Sequence, residues 1–380
     1  MRVALVSTEK LPVPPIRGGA IQTYVAGILP YLARHHQVTV FTISDPQLPL
    51  YEEGPGYQIV RFPAEEYPQR VAEALGRGGF QVLHLFNRPT WVEPFHRMAP
   101  RARILLSLHN EMFKPEKMPP ETAERCLNLC DHVVTVSRYI ADTVGDQYPW
   151  ARPKLRPLYS GVDPDAYIPR WDPRAGPIRA ALAAKLGFDP QDPVILCVSR
   201  LSPKKGQHVL IDAMKSIRRR FPSARLLLVG SRWYGQTEWN TYGLALQEQA
   251  RSLGDGVIFV GFLTPAEIPP YYTAADLFVC ASQWQEPLAR VHYEAMAAGL
   301  PLVTTRRGGN PEVVDGLGTG LVVDDPANPQ AMAKAMGRLL KNRRLADQMG
   351  RQGRQLAETR FHWRRVAHDL LSLYGGAGRA

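Results

Sequence analysis

The sequence lacks the apolar segments that would place it in or across a membrane. No run approaches the roughly 18 apolar residues that a spanning helix needs. The apolar run within Met1–Ser7 is only four residues long, Val3–Val6, whereas a signal peptide needs a stretch of about 7 to 15. We therefore expect a soluble protein that stays in the cytoplasm.

Cysteine is also scarce. Four cysteines in 380 residues do not form a disulfide framework. Cys197 and Cys280 lie in apolar, strand-like runs and are expected to be buried. Cys126 and Cys130 are four residues apart on a predicted helix, but two soft ligands without a second pair make a weak case for a metal. No metal or other cofactor is expected.

Two glycine-rich nucleotide motifs are missing. No G-x-G-x-x-G follows a strand and opens a helix; the glycines at 316, 318 and 320 follow a predicted helix instead. The run Lys204–Gly206 lacks the glycines that precede the lysine of a Walker A loop. These absences exclude NAD-dependent chemistry and P-loop phosphoryl transfer.

Acidic residues are outnumbered, 35 against 46 basic ones, and the excess is concentrated near the C-terminus. Residues 338–380 hold ten Lys or Arg and three Asp or Glu. Aromatic residues do not alternate with these cations and no Cys/His finger spacing occurs, so no nucleic-acid partner is expected. A solvated helical face and contact with an anionic surface both remain open.

The apolar residues that are present indicate an α/β protein of two domains. Short β-branched runs alternate with helical patterns along 380 residues, of which 45% are hydrophobic. Continuous apolar strands separated by helices predict parallel sheets that are covered on both faces. The predicted strands are Val3–Val6, Val38–Ile43, Val82–Phe86, Ile104–Leu108, Val133–Val136, Val194–Val198, Leu226–Val229, Val257–Val260, Leu277–Cys280 and Leu302–Thr304.

A proline-rich stretch separates the two sets of strands. Eight prolines fall within Pro153–Pro193. We therefore predict an N-terminal Rossmann-like domain over 1–170, a linker over 171–192 and a second Rossmann-like domain over 193–360. In such doubly wound sheets, ligands bind beyond the carboxyl ends of the strands.

The segment after Cys280 is the richest in groups that could bind a ligand. Pro287 suits the first position of a helix, which would leave the N–H groups of residues 288–290 pointing at an anion. Glu286 would precede that helix and Glu294 would lie on it. Carboxylates on both sides of an anion site suit a nucleotide-sugar, which carries a diphosphate between two sets of hydroxyls.

These residues resemble family 4 of the retaining glycosyltransferases, and the resemblance covers essentially the whole chain. Glu286 and Glu294 are similar to the E-x7-E motif of that family. A narrower resemblance is to a subgroup associated with the spore coat of sporulating bacilli. Further matching segments are Gly18-Gly19, Ser160–Asp163, Val198–Leu201 with Lys204–Gly206, and Gly308–Glu312.

The resemblance implies the GT-B fold, in which two Rossmann-like domains face each other across a cleft. It also implies that His109, Arg200, Lys205 and Glu286 act in catalysis. Arg200 and Lys205 would hold the diphosphate, and His109 would contact the donor sugar. The full set of implied donor-binding residues is Gly18, Gly19, Arg200, Lys205, Phe262, Leu263, Glu286, Leu288, Ala289, Arg290, Val291 and Glu294.

Two positions depart from the family pattern. Ala289 stands where a glycine is usual, and Arg290 replaces an aliphatic residue. Arg290 could favour an acidic sugar donor or could form a salt bridge turned away from the site. Asp163 and Asp165 form a D-x-D sequence, which is a metal signature in a different glycosyltransferase fold, but here they lie in the interdomain turn. Arg200 and Lys205 are two fixed cations, so a metal is not required.

The function expected from the residues and the resemblance is retaining transfer of a sugar from a nucleotide-sugar to a carbohydrate or surface polymer, including a spore-coat acceptor. The expected donor is UDP-linked. A nucleotide-sugar epimerase of GT-B type and a non-catalytic coat or scaffold protein that keeps nucleotide affinity remain as alternatives. A glycosidase is disfavoured, because hydrolysis needs no diphosphate clamp.

The resemblance further implies that a helix near the C-terminus, within 361–380, returns to complete the first domain. Trp363, Val366, Leu370, Leu371 and Tyr374 recur at helical spacing and are expected to dock it. The neighbouring arginines would then form an outward cationic surface that contacts an anionic partner or the spore coat. They are Arg364 and Arg365 together with the arginines of Gln330–Arg360, which include Arg351 and Arg354.

Overall fold

The computed structural model describes residues 1–231 and 241–375. The chain divides into two compact units. The first is Met1–Gly161 together with the C-terminal segment that starts at Trp363, and the second is Val162–His362. Among the described residues, no helix combines the length and apolar character needed to span a bilayer.

The first unit is built on an eight-stranded sheet. Its order is β3-β4-β2-β1-β5-β6-β7-β8, and every neighbouring pair is parallel except β3 with β4. The strands are β1 Arg2–Val6, β2 Gln37–Ile43, β3 Tyr51–Gly54, β4 Tyr57–Phe62, β5 Val82–Phe86, β6 Arg103–Leu108, β7 His132–Thr135 and β8 Leu155–Pro157. The helices are α1 Ala20–Leu32, α2 Tyr67–Gly78, α3 Val92–Met98, α4 Pro120–Leu129 and α5 Arg138–Gly145.

The second unit has a six-stranded, fully parallel sheet of order β11-β10-β9-β12-β13-β14. The strands are β9 Val194–Val198, β10 Arg225–Val229, β11 Val257–Gly261, β12 Leu277–Cys280, β13 Leu302–Thr305 and β14 Gly320–Val323. The helices are α6 Ala175–Leu186, α7 Gln207–Arg220, α8 Thr241–Ala250, α9 Pro269–Ala274, α10 Val291–Ala297, α11 Pro329–Lys341 and α12 Arg343–Thr359. The last helix, α13 Trp363–Gly375, belongs to the first unit.

The ten predicted strands are confirmed to within one residue at each end. Apart from the edge strand β11, where only Val257 is buried, their apolar residues are largely buried on both faces of the sheets. Four further strands were not predicted. β3 is polar and lies at a sheet edge, and β4 mixes polar with apolar residues. β8 has three residues and β14 follows a glycine cluster, so neither gives a clear pattern. All four cysteines are buried and free, and the burial of Cys197 and Cys280 is as expected.

The segment 171–192, predicted as a linker, lies inside the second unit and contains helix α6. Arg179 fixes this helix: it donates to the carbonyl oxygens of Asp192 and Ala274 and to the Asp276 carboxylate. The chain changes from one unit to the other at Gly161 and again after His362. Prolines here shape a packed segment, since Pro can occupy turns and first helical turns.

Helix α13 docks on α1 through aromatic side chains. Trp363 lies against Gly27, where an added Cβ would be 2.3 Å from the indole ring. At the other end Tyr374 hydrogen-bonds His84 at 2.7 Å, and the second ring nitrogen of His84 pairs with Ser107. Four of the five predicted docking residues are buried and Leu371 is partly buried. The C-terminal helix thus completes the core of the first unit.

The prediction of an outward cationic surface is wrong for two of its arginines, Arg354 and Arg365. Arg354 is turned inward and donates to the carbonyl oxygens of Pro164, Tyr167 and Ala297. Arg365 pairs with Asp369 and donates to the Tyr159 carbonyl. These arginines are used for packing, because a guanidinium can satisfy several backbone carbonyls at once.

We predict that Trp363→Ala lowers the free energy of unfolding by about 3–5 kcal/mol, because it opens a cavity between α13 and α1. Urea unfolding followed by circular dichroism measures the change. Trp150→Ala is the matched control: Trp150 is 45% exposed in the same unit, so its loss should cost less than about 1 kcal/mol. Equal losses in both variants would contradict the docking role of Trp363.

Candidate active site

The order of strands in the second unit creates a crevice between β9 and β12. From β9 the chain passes through α7 to β10 on one side, and from β12 it passes through α10 to β13 on the other. Loops that follow two such strands diverge, and the gap between them is the usual ligand site of an open α/β sheet. Lys205 follows β9 and Glu286 follows β12, so both predicted residues border this crevice.

Lys205 and Glu286 form a buried ion pair. The Lys205 Nζ lies 2.6 Å from Glu286 Oε2, and their side chains are 17% and 9% exposed. The same oxygen accepts hydrogen bonds from Ser282 Oγ at 2.9 Å and Trp284 Nε1 at 2.7 Å. All three hydrogen bonds end on Oε2. Within the described part of the chain, Oε1 is therefore left for a ligand.

The Glu286 carboxylate is held in its charged form. Burial by itself would raise the pKa of Glu286, but the charge of Lys205 and the hydrogen bonds from Lys205, Trp284 and Ser282 outweigh it, so the pKa is lowered. Trp284 also faces the cations: its ring centre lies 5.8 Å from Lys205 Nζ and 5.2 Å from Lys204 Nζ. The crevice thus holds a fixed negative oxygen beside a fixed ammonium group.

Two glycines let the backbone approach this pair. Gly206 has φ +73°, and an added Cβ would lie 2.0 Å from the Ala281 carbonyl oxygen. Gly308 has φ +53°, and its Cβ would lie 2.0 Å from the Glu286 carbonyl oxygen. The Gly309 N–H donates to that same carbonyl at 2.8 Å. Gly308 and Gly309, predicted from the resemblance as part of a turn, hold the backbone of Glu286.

The helix after Glu286 begins later than predicted. Pro287 lies in the loop, and α10 starts only at Val291. The Ala289 N–H, expected to face an anion, donates instead to Asn310 Oδ1 at 3.0 Å. The carbonyl of Ala289 pairs with His292 Nδ1 at 2.8 Å, and the His292 side chain is fully buried. Side chains pin this loop, so proline did not mark the start of the helix.

Glu294 lies on the first turn of α10, next to two partners. The Tyr272 hydroxyl donates to Glu294 Oε2 at 2.9 Å, and Arg290 Nη2 lies 3.8 Å from Oε1. Burial and the charge of Glu294 raise the pKa of Tyr272 well above its usual value, so the phenol stays a neutral donor. Arg290 thus forms a salt bridge, as one of its two expected uses required, but the partner is the second glutamate of the motif, so the bridge is not turned away from the predicted donor-binding residues.

The remaining predicted residues of this unit are spread along the same sheet edge. Arg200 is exposed just after β9, and its backbone carbonyl accepts from Gln207 at 2.8 Å. Phe262 and Leu263 follow β11 and are partly buried. Leu288 is buried in the loop after Glu286. Strand β10 separates β11 from β9, so Phe262 and Leu263 lie further along the sheet edge than Lys205.

In the first unit, Gly18 and Gly19 form the turn between β1 and α1. Their φ angles are +87° and +105°, which favour glycine. A Cβ on Gly19 would lie 2.4 Å from Gln22 Oε1. The Gln22 amide also donates to Thr8 Oγ1 at 3.2 Å and to the Leu11 carbonyl at 3.1 Å. The glycine pair is thus built into the loop at the carboxyl end of β1.

His109 occupies the predicted place, directly after β6. Its backbone N–H donates to Asn87 Oδ1 at 3.0 Å, and its ring packs edge-on against Tyr24 with centroids 5.1 Å apart. Asn87 follows β5 and adopts φ +56°, a left-handed conformation that is uncommon outside glycine. The turn at Asn87 therefore fixes the backbone from which His109 starts.

Sequence reasoning missed four side chains that shape the site: Ser282, Trp284, Tyr272 and Asn310. Ser282 and Trp284 stand within four residues of Glu286, and their donor groups could have been considered as partners of a buried carboxylate. Tyr272 and Asn310 come from α9 and from the turn after β13, 22 residues before Glu294 and 21 after Ala289. Folding brings Tyr272 to Glu294 and Asn310 to Ala289, and no local sequence pattern indicates either contact.

Comparisons with known proteins agree with this geometry. The family model Glycosyltransferase Family 4 matches residues 18–166, and the model Glycosyl transferases group 1 matches residues 179–356. Spore coat protein SA of Bacillus subtilis is 42% identical over 374 residues, which cover 98% of this chain and 99% of that protein. A GDP-mannose-dependent alpha-(1-6)-phosphatidylinositol monomannoside mannosyltransferase of Mycolicibacterium smegmatis is 33% identical, with 97% of each chain covered.

Among solved structures, sucrose-phosphate synthase of Thermosynechococcus elongatus superposes with a TM-score of 0.76 at 25% identity, covering 99% of this chain and 98% of that one. The fold is the GT-B fold expected from the sequence. The chain belongs to the group 1 and family 4 glycosyltransferases, and it is a glycosyltransferase.

We predict that Lys205→Met reverses the pKa shift of Glu286, because burial, the largest single influence on this pKa, is then opposed only by the hydrogen bonds from Trp284 and Ser282. In the wild type, a lowered pKa stabilises the fold above about pH 4.3, and this contribution is lost as pH falls through the folded pKa. In the variant, a raised pKa makes stability fall as pH rises from about 4.3 to the new folded pKa. The stability gap between the two proteins should therefore widen with pH.

Urea unfolding at several values between about pH 4 and 7 measures that gap. Lys204→Met is the matched control, because Lys204 contacts Trp284 and forms no described ion pair with Glu286. The stability of Lys204→Met, plotted against pH, should run parallel to that of the wild type. A Lys205→Met curve that also runs parallel would contradict the account of Glu286.

Proposed function

We propose that this glycosyltransferase moves a sugar from a nucleotide-sugar to a carbohydrate or surface-polymer acceptor, with retention of anomeric configuration and without a metal. The observation that carries the proposal is the buried Lys205–Glu286 pair at the crevice between β9 and β12. The pair presents an anionic nucleotide-sugar with an ammonium group and a carboxylate that contact each other.

The pair suits the two halves of a sugar diphosphate. Three donor hydrogens are available on the Lys205 ammonium, and one of them is used by Glu286, so others can reach a phosphate oxygen. Glu286 Oε1 can accept a hydroxyl of the sugar. Because Trp284 and Ser282 hold the other oxygen, the carboxylate need not reorient when the donor binds.

Charge develops as the bond to the leaving group breaks. Negative charge grows on the diphosphate oxygen and positive charge grows at the anomeric carbon. Lys205, together with Arg200 on the same loop, can stabilise the departing diphosphate. One preorganised donor of this kind is worth about 3–4 kcal/mol of barrier. Fixed cations can do this without a metal, which supports the metal-free assignment.

Glu294 is proposed to bind the ribose hydroxyls of the nucleotide. Tyr272 and Arg290 hold its carboxylate at the start of α10, so it can accept from a diol without first ordering its side chain. The placement of His109 after β6 supports its proposed contact with the donor sugar, and the Gly18-Gly19 turn offers backbone N–H groups without an obstructing side chain.

The proposal also covers the nucleotide base of the donor and the nature of the acceptor. The sequence predicts a UDP-linked donor, whereas the Mycolicibacterium relative is named as GDP-mannose-dependent, so both donors belong in the first screen. The similarity to Spore coat protein SA supports a coat or surface polymer as acceptor. A cytoplasmic location, expected from the sequence, is part of the proposal. Phe262 and Leu263 are proposed to line the base pocket.

Incubation with UDP- and GDP-sugars and carbohydrate acceptors, followed by mass spectrometry, tests the proposal. Transfer yields free nucleoside diphosphate and a new glycoside, whose anomeric configuration is read by NMR. An isomerised donor would indicate an epimerase. Binding of nucleotide without turnover of any donor would favour a coat or scaffold protein.

We predict that Glu294→Gln weakens binding of the nucleoside diphosphate by about 1.5–3 kcal/mol, because the ribose loses a charged acceptor. Isothermal calorimetry with the 2′,3′-dideoxy nucleotide provides the control. If Glu294 binds the diol, the substitution should leave affinity for that analogue unchanged. Equal losses for both nucleotides would contradict the ribose assignment.

We also predict that transfer activity survives EDTA, because Lys205 and Arg200 supply the positive charge that a metal would otherwise bring. The rate of nucleotide release with and without chelator measures this. Loss of activity that Mg²⁺ or Mn²⁺ restores would overturn the metal-free mechanism and direct attention to Asp163, whose carboxylate caps the Asp165 N–H.

A further inference from the structure

The exposed basic residues of the second unit gather where α7 and α11 end. The two helices pack side by side: a Cβ on Gly337 of α11 would lie 3.7 Å from Ile217 of α7. Arg220 is three residues beyond Ile217 and Lys341 is four beyond Gly337, so both continue the facing sides of the helices. The basic ridge, as we name it, consists of Arg219, Arg220, Arg338, Lys341, Arg343 and Arg344, all exposed.

Few acidic groups offset the ridge. Helix α11 contains no Asp or Glu. Asp255 is nearby, but it pairs with Arg218 and Arg225, neither of which belongs to the ridge. Arg343 lies 3.7 Å from Asp276, an aspartate that also pairs with Arg170 and Arg179.

No ion pair is described for the other five ridge residues within 1–231 and 241–375. Arg219 donates to Ser216 on its own helix, and Arg220 lies over the ring of Phe221. Neither contact neutralises a charge. The ridge therefore presents a concentrated positive surface, beyond what the fold needs for its own ion pairs.

The ridge and the candidate donor site lie at opposite edges of the sheet. Phe221 leads into the start of β10, and Asp276, the partner of Arg343, immediately precedes β12. The ridge is therefore at the amino edge, whereas Lys205 and Glu286 follow the carboxyl ends of β9 and β12. A five-residue strand is roughly 17 Å long. A ligand can thus bind the ridge without blocking the crevice.

We propose that the basic ridge binds an extended anionic polymer that carries phosphate groups along its chain. Five of its six members are arginines, whose planar guanidinium groups match phosphate oxygens in pairs. If a flat membrane docked on this edge, its headgroups would lie roughly 17 Å or more from the donor site. That distance exceeds the screening length of about 8 Å at physiological salt, so the charge of the membrane would not act at the crevice. A linear polymer can bind the ridge and still extend past the unit.

Fluorescence anisotropy with labelled long-chain inorganic polyphosphate tests the proposal. One variant replaces four ridge residues by glutamine, R219Q, R220Q, R338Q and R344Q. The control removes the same charge elsewhere, with R77Q, R97Q, R152Q and R251Q, whose side chains are 51–82% exposed. Melting curves establish that both variants remain folded.

We expect the ridge variant to bind polyphosphate at least about tenfold more weakly, and the control to remain within about twofold of the wild type. The slope of log K against log salt should fall by about three units for the ridge variant, since each neutralised charge contributes roughly 0.7–0.9. Equal losses in both variants would show an effect of net charge and overturn the proposal. So would wild-type binding to phosphatidylglycerol vesicles without binding to polyphosphate. The assay measures no sugar transfer, so its failure leaves the proposed function intact.

Discussion

The rest of the candidate site depends on keeping a buried carboxylate charged. Glu286 lies almost wholly out of water, where an unpaired charge would cost several kcal/mol. Lys205 supplies the opposite charge, and Ser282 and Trp284 supply hydrogen bonds. If Lys205 were removed, protonation of Glu286 would cost least, and the crevice would lose both its ammonium group and the charge of its carboxylate. The ion pair therefore fixes the chemistry of the site as well as its shape.

That ion pair in turn constrains the backbone around it. Lys205 and Glu286 are 81 residues apart and meet because β9 and β12 are neighbours in the sheet. The loops that carry Lys205 and Glu286 can approach neighbouring backbone only where no side chain intervenes. Gly206 and Gly308 meet this need, since each has a positive φ angle and lies against a carbonyl oxygen. Asn310 then pins the loop after Glu286 through the Ala289 N–H.

Strands were predictable because burial on both faces leaves a continuous apolar run, which the ten predicted strands share. The two glutamates were predictable because their spacing matches the E-x7-E motif and would place a carboxylate on each side of an anion site. The start of α10 was not, since Pro287 is compatible with a loop as well as with a helix, and Asn310 decides between them from another part of the chain. The inward turn of Arg354 had no local signal, because its three carbonyl partners come from two other segments. Contacts between distant segments account for these errors.

A crystal structure with bound nucleoside diphosphate tests the central claim most directly, namely that the Lys205–Glu286 pair receives the donor. The account predicts the terminal phosphate within hydrogen-bond distance of Lys205 Nζ and Glu286 Oε1 still open toward the position of the sugar. The ribose hydroxyls should lie on Glu294. A nucleotide bound away from the β9–β12 crevice, with the ion pair untouched, would contradict the account.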